Sequence, residues 1–133
     1  MTLSQAANIG SIKFMNVAIL GASAKPERYA NKAQILLSEH DHSVFPVSPT
    51  GAEILGVAGY SSLAEITEEI DTLTLYLGPE RLAPLVEEII SVKPKRVIFN
   101  PGTESAEAMT AFEKAGIACE EACTLVLLNT GTF

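Results

Sequence analysis

The sequence predicts an α/β fold, in which a mainly parallel, doubly wound sheet of five or six strands carries helices on both faces. Two observations lead to this prediction: short apolar runs alternate with segments of helical periodicity, and the connections between them are short. Parallel strands need crossover helices, and those helices cover both faces of the sheet. The chain has 133 residues, the size of one ordinary domain, and we expect residues 1–133 to form a single domain.

The alternation consists of five strand-like runs and four helical segments. Strands are predicted at 16–20, 43–47, 72–77, 96–99 and 116–120. Helices are predicted from Pro26 to Glu39, briefly over 63–66, from Pro79 to about Ile90, and from about Glu104 to Lys114. Ligands of such sheets bind at the carboxyl ends of the strands. We therefore expect the functional residues in the loops at 21–28, 46–51, 78–81, 100–103 and 121–125.

Composition and charge limit the classes of partner. Hydrophobic residues make up 47% of the chain, but they form no run long enough to span a membrane, so they are expected to form a core. Residues 1–13 lack the basic and apolar regions of a secretory signal, which favours a cytoplasmic location. The formal net charge of -7 argues against a nucleic-acid partner. An anionic small molecule would need a local positive patch.

The loop after the first strand is the strongest indication of a binding site. Gly21 permits a sharp turn, and Ala22, Ser23 and Ala24 are small enough to leave room for an anion that their amides could bind. A strand, a glycine turn and a helix in this order are typical of phosphate-binding sites. The sequence departs from G-x-G-x-x-G, because Ser23 and Pro26 occupy the second and third glycine positions.

Positive charge is concentrated beside this turn. Lys25, Arg28 and Lys32 account for three of the nine Lys and Arg residues of the chain. A second basic group, at positions 93–96, precedes a strand and should therefore lie at the opposite end of a parallel sheet. The first group is thus the one expected to bind an anion.

The end of the second strand is uncharged and apolar. It consists of Pro46, Val47, Ser48 and Pro49, and no acidic residue follows until Glu53. Domains that bind NAD place an acid here to bind the adenosine ribose, so its absence weakens an NAD hypothesis. Such an edge can hold an adenine face or tolerate a ribose phosphate. A strand that simply ends at a proline turn would have the same sequence.

Two further loops at the same edge are expected to line a cleft. The residues concerned are Leu77, Gly78, Asn100, Pro101 and Gly102. The Asn100 amide is expected to face the cleft, and Thr103 to cap the helix that follows. Tyr76 fits either the cleft or the core. Turn formation alone would also explain the Asn-Pro-Gly sequence.

The evidence for catalysis is weak. His40 and His42 lie in the turn that enters the second strand, opposite the expected ligand, and should be surface residues. Cys119 and Cys123 lack the spacing of a metal or redox pair and are interpreted as thiols, with Cys123 at the predicted cleft. We therefore expect no metal site.

These motifs in combination resemble a known family. They are Gly21-Ala22-Ser23, Arg28, Pro46-Val47-Ser48-Pro49, Ile54-Leu55-Gly56, Asn100-Pro101-Gly102 and Cys123. Over residues 13–133 the chain is similar to small stand-alone CoA-binding proteins. Their single Rossmann-type domain resembles the CoA-binding domain of the succinyl-CoA synthetase alpha subunit.

The resemblance implies coenzyme A as the cofactor and a position for each part of it. The phosphates would lie near Gly21, Ala22, Ser23, Lys25 and Arg28, and the adenosine end near Val47, Ser48 and Pro49. The loops at 77–78 and 100–102 would line the rest. Ser48 and Asn100 depart from the family, which commonly has asparagine and glutamine there, so affinity or nucleotide preference could have shifted. The resemblance implies no reaction.

Three hypotheses follow for the function. The leading one is binding of CoA or acyl-CoA without catalysis, in a sensing, carrier or regulatory role. The second is an enzyme, either a nucleotide-dependent oxidoreductase or a thiol-using CoA enzyme with Cys123 as the reactive group. The third is an interaction module with a degenerate site, in which the apolar tail at 125–128 supports a homodimer. Packing of that tail on its own domain is the simpler alternative.

Overall fold

Five parallel strands form the sheet of the computed structural model, which describes residues 14–133. They are β1 (Asn16–Leu20), β2 (Ser43–Val47), β3 (Thr72–Leu75), β4 (Arg96–Phe99) and β5 (Ala118–Glu121). Their order across the sheet is β2-β1-β3-β4-β5, and every pairing is parallel. The predicted doubly wound α/β class is confirmed. The prediction made from residues 1–13 lies outside the described part of the chain.

Helices connect the strands and cover both faces. They are α1 (Tyr29–Glu39), α2 (Pro79–Leu82), α3 (Val86–Val92), α4 (Ala106–Lys114) and α5 (Thr124–Asn129), with 3-10 turns at Leu63–Glu65 and Ala83–Leu85. None of these described helices has the length and apolar character needed to cross a membrane.

Alternating residues of β1 face two separate apolar clusters. Val17 and Ile19 pack with Leu37 of α1 and Leu128 of α5 on one face of the sheet. Ala18 and Leu20 point to the other face, whose larger cluster includes residues of α2, α3 and α4. Complete burial of one large aliphatic side chain contributes roughly 1.5–3 kcal/mol, so both clusters hold the helices firmly against the sheet. The burial of β1 on both faces explains its continuous apolar sequence.

Two predicted boundaries next to the sheet edge are wrong by two or three residues. Strand β3 ends at Leu75 rather than at residue 77. Helix α1 begins at Tyr29 rather than at Pro26, because a turn closed by the Arg28 N–H and the Lys25 carbonyl comes first. Both differences lengthen the loops at the carboxyl ends of the strands.

The later helices differ from the predictions for local reasons. The helix expected from Pro79 to Ile90 is interrupted by a 3-10 turn around Pro84, which has no N–H to donate. The N-cap of α4 is Ser105, whose Oγ accepts from the Ala108 N–H at 3.2 Å, and not Thr103. The tail at 125–128, for which no helix was predicted, lies in α5.

His42 is half-buried, which corrects the expectation that both histidines are surface residues, whereas His40 is exposed as predicted. The His42 Nδ1 accepts a hydrogen bond from the Met15 N–H at 3.0 Å, and its ring lies 5.2 Å from the Phe133 ring. Burial lowers the pKa of His42 below its ordinary value, and the positive charges of His40 and Arg96 add to this effect, while the Asp41 carboxylate opposes it.

The lowered pKa predicts that the protein loses stability as the pH falls through the range from about 7 to 5. The unfolded chain binds the His42 proton at a higher pH than the folded protein does. The contribution is therefore complete above the unfolded pKa and is lost as the pH falls through the folded pKa. Urea unfolding across this range should show a flatter pH dependence for His42→Asn, which retains an acceptor but does not titrate. His40→Asn is the matched control, and an equal flattening in it would contradict the assignment.

Gly21 is expected to tolerate no side chain. Its φ is +94°, and an added Cβ would lie 2.9 Å from the Tyr76 carbonyl oxygen. Gly102 has a similar φ of +91°, but an added Cβ there would meet nothing within 4 Å. Gly102→Ala should therefore cost about 1–2 kcal/mol of unfolding free energy from backbone strain alone. Gly21→Ala should cost roughly 1–3 kcal/mol more from overpacking. Equal losses in urea titrations would show that the close approach at Gly21 is unimportant.

Candidate functional site

The sheet reverses its strand order between β1 and β3, and a cleft opens at their carboxyl ends. From β1 the chain proceeds to β2 on one side, while β3 and β4 extend the sheet on the other, which is where open α/β sheets bind ligands. A cavity of about 410 Å³ lies there, and we call it the cleft. Ten of the predicted site residues line it: Gly21, Ala22, Ser23, Lys25, Arg28, Pro49, Leu77, Gly78, Pro101 and Gly102.

A smaller cavity of about 290 Å³ adjoins the cleft, and we call it the side pocket. Val47 and Ser48, both predicted site residues, line it together with Ser61 and Leu85. The two cavities share the residues Gly21, Pro49, Leu77 and Arg81. The cleft and the side pocket therefore adjoin each other along the edge of the sheet.

The loop after β1 is fixed by its backbone. The Gly21 and Ala22 N–H groups both donate to the Val47 carbonyl, at 3.1 and 3.0 Å. The expectation that the Ala22 amide is available to an anion is therefore wrong. The N–H groups of Ser23 and Ala24 donate to no described residue. These two amides remain available to a ligand.

The N-terminus of α1 also faces the cleft. Tyr29 and Ala30, the first two residues of this 11-residue helix, line the cleft, and their N–H groups have no hydrogen-bond partner within residues 14–133. The N-cap, Arg28, makes no side-chain capping bond, and the first turn contains no acidic residue. Unsatisfied amides at the positive end of a helix dipole attract anions.

The charge of the cleft is positive. Lys25, Arg28 and Arg81 line it, and none of the three forms an ion pair with a described residue. No aspartate or glutamate is among the described residues that line the cleft or the side pocket. Lys32, the third predicted cation, does not line the cleft, and its Nζ lies 5.6 Å from the centre of the Tyr29 ring. The protein as a whole is acidic, but this site is suited to an anion.

Sequence analysis placed Arg81 in an expected functional loop, at 78–81, without naming it as a site residue, and it missed Tyr29. Arg81 lies in the short helix that follows β3, and its position one turn after a strand end was the signal that could have revealed it. Tyr29 lines the cleft and is 69% exposed as a residue, so its aromatic ring can pack against a ligand. Tyr29 directly follows Arg28 in the chain, whereas Arg81 lines the same cleft only because the sheet places β1 beside β3.

Two predicted site residues, Pro46 and Asn100, line neither cavity. Pro46 is buried within β2. Asn100 is only 2% exposed, and its amide nitrogen donates to the Thr74 hydroxyl at 2.6 Å and to the Leu75 carbonyl at 2.8 Å. Its Oδ1 accepts from the Thr124 N–H at 2.9 Å. The expectation that the Asn100 amide faces the cleft is therefore wrong, because its hydrogen bonds join the ends of β3, β4 and α5.

Burial raises the pKa values of two described groups, of which one, Tyr76, lines the cleft and the other, Cys119, does not. Tyr76 lines the cleft, and burial raises the pKa of its phenol to about 12, with hydrogen bonds to Thr74 and Thr124 partly opposing the shift. Burial likewise raises the pKa of the Cys119 thiol to about 11, and the Glu113 charge adds to the effect. The Tyr76 phenol therefore stays protonated at neutral pH and is a poor base.

Cys123 lies beside the cleft rather than in it. It is the half-buried N-cap of α5 and is not among the residues that line the cleft, which corrects its predicted position. Both cysteines are free thiols. Within residues 14–133, no three His, Cys, Asp or Glu side chains are grouped so that they could hold a metal ion.

Many α/β proteins that bind nucleotides have a doubly wound sheet with a cleft at the reversal of strand order, and this protein has that arrangement. Residues 15–129 match the model of a family described as a CoA binding domain. The match covers most of the sequence, so the chain belongs to the CoA-binding domain family, as the resemblance predicted. An uncharacterized protein of Bacillus subtilis, YneT, is 28% identical over 100 residues, which are 75% of this chain and 74% of that protein.

Solved structures share the fold over nearly the whole chain. A crystal structure of an uncharacterized protein is 40% identical, with a TM-score of 0.86, over 91% of this chain and 99% of the other. A Thermus thermophilus protein is 26% identical, with a TM-score of 0.84, over 99% of this chain and 100% of the other. The dinucleotide-forming acetyl-coenzyme A synthetase 1 of Ca. Korarchaeum cryptofilum is 16% identical, with a TM-score of 0.68, over 81% of this chain and 26% of the other. That last similarity shows the fold alone.

Truncating Asn100 should destabilise the protein strongly. Asn100→Ala removes three buried hydrogen bonds and leaves the Thr124 N–H and the Leu75 carbonyl unpaired. Each unsatisfied buried group costs about 1–3 kcal/mol, so we expect a loss of roughly 3 kcal/mol or more in urea unfolding. Asn129→Ala, at an exposed asparagine, should change the unfolding free energy by less than about 0.5 kcal/mol. Similar small effects at both positions would contradict the role given to Asn100.

Proposed function

We propose that the protein binds coenzyme A or an acyl-CoA in the cleft and the side pocket. The observation that carries the proposal is a set of three cations without ion-pair partners, beside free amides at the start of α1, within the part of the chain that the structure describes. Membership of the CoA-binding domain family supports the choice of ligand. The volumes of the two cavities fall within or close to the usual range of small-molecule sites.

In the proposed complex, the diphosphate lies at the start of α1. Lys25 and Arg28 neutralise its charge, and the Ser23 and Ala24 amides donate to its oxygens. The adenosine end occupies the side pocket, where Val47 and Pro49 supply apolar surface. The remainder of the ligand follows the edge of the sheet past Leu77, Gly78 and the loop at 101–102, all of which line the cleft.

We also propose that binding occurs without catalysis, in a sensing, carrier or regulatory role. The described lining of the two cavities contains no His, Cys, Asp or Glu that could act as a general base or a nucleophile. The elevated pKa of Tyr76 makes its phenol a poor base as well. What the lining does supply are donors and positive charge, which suit binding.

Thermal unfolding with CoA, dephospho-CoA, NAD and NADP side by side tests the choice of ligand. A ligand at 100 times its dissociation constant adds about 2.7 kcal/mol to the unfolding free energy. CoA should therefore raise the midpoint by several degrees, because a gain of 1 kcal/mol shifts a domain of this size by roughly 3–6 °C. Stabilisation by NAD alone, or by none of the four ligands, would contradict the proposal.

The Arg28→Ala variant tests the position of the diphosphate. Loss of a charge-assisted hydrogen bond should weaken CoA binding about 10-fold or more in isothermal titration calorimetry. The loss should shrink as salt is added, because salt screens exposed charges. Lys114→Ala is the matched control, since Lys114 is exposed at the end of α4 and lines neither cavity. Equal affinities of the two variants would remove Arg28 from the site.

A further inference from the structure

Arg81 is the charged residue common to the two cavities. Lys25 and Arg28 line the cleft alone, whereas Arg81 lines both the cleft and the side pocket. Arg81 falls in the expected functional loop at 78–81, but no motif gave it an individual role. Its place at the junction means that its guanidinium can reach a ligand group that the other two cations do not approach.

The rest of the side pocket is mainly apolar and suits a flat apolar group. Leu20, Val47, Leu77 and Leu85 provide apolar walls. The Ser61 hydroxyl already donates to the Glu65 carboxylate at 2.9 Å, so it has no proton left to offer a ligand. Arg81 is then the strongest hydrogen-bond donor available in this pocket.

A carboxylate and a guanidinium recognise different groups on a ribose. A carboxylate accepts from free ribose hydroxyls, whereas an arginine binds a phosphate through its planar fork of N–H donors. The described lining of the side pocket contains no acidic residue and one arginine. Arg81 forms no ion pair within residues 14–133, so its donors are unoccupied.

We propose that Arg81 binds a phosphate group on the ribose of the ligand, and that it thereby makes the site prefer CoA, which carries a 3′-phosphate, over dephospho-CoA, which lacks it. This inference rests on the proposed function. Arg81 is then a specificity-determining residue, and its contribution is separate from that of Lys25 and Arg28, which bind the diphosphate present in both ligands.

Calorimetric titration of both ligands into three proteins tests the inference. The wild type should bind CoA about 10- to 100-fold more tightly than dephospho-CoA, the range expected for a charge-assisted contact with a phosphate. Arg81→Gln should abolish this preference by weakening CoA binding while the affinity for dephospho-CoA stays unchanged. Arg28→Gln is the matched control. It should lower the affinities for CoA and dephospho-CoA by the same factor and so preserve the preference for CoA.

Each contrary outcome has a distinct meaning. The inference is overturned if the wild type binds CoA and dephospho-CoA equally well. It is also overturned if Arg81→Gln still prefers CoA, or if its affinities for the two ligands fall by the same factor. In these cases the wild type still binds CoA, so the proposed function stands. A wild type that binds neither ligand contradicts the proposed function itself, and the inference with it. Arg81→Lys keeps the charge but not the fork, and its preference should be intermediate. This second variant decides the question if Arg81→Gln does not fold.

Discussion

The Val47 carbonyl accepts hydrogen bonds from two successive amides, those of Gly21 and Ala22, and the rest of the site depends on this contact. It holds the loop after β1 against the end of β2. The missing side chain of Gly21 lets the same loop lie against the Tyr76 carbonyl beyond the end of β3. Three strand ends therefore meet at one point, and that meeting sets the position from which α1 starts.

The residues around the cleft divide between those that build it and those that remain available to a ligand. The side chains of Asn100 and Thr103 form hydrogen bonds to neighbouring protein atoms. The Thr103 hydroxyl donates to the Asn100 backbone carbonyl at 2.8 Å. Buried polar groups must be paired in this way, because an unpaired one costs more than a hydrogen bond returns. Exposed cations such as Arg28 and Arg81 are solvated by water and need no protein partner, so they remain available to an anion.

The positively charged side chains at the two ends of the parallel strands differ in whether they are paired. At the amino ends of the strands, Lys95 pairs with Glu69 and Asp71, and Arg96 pairs with Glu120. The cations at the carboxyl ends have no such partners among the described residues. Like charges held close together repel one another, and a bound anion relieves that repulsion. The site is therefore suited to an anion although the net charge of the chain is -7.

The sequence by itself determined the fold class, the five strands and the glycine loop that lines the cleft, because apolar periodicity and a glycine turn are local properties of the chain. It also indicated Lys25 and Arg28, which lie directly after that turn. Only the tertiary structure decided that Asn100 is buried and hydrogen-bonds the ends of β3 and α5, and that Arg81 lines the cleft. The physical reason is that both outcomes depend on how strands distant in sequence pair side by side, and neither local periodicity nor residue spacing records that pairing.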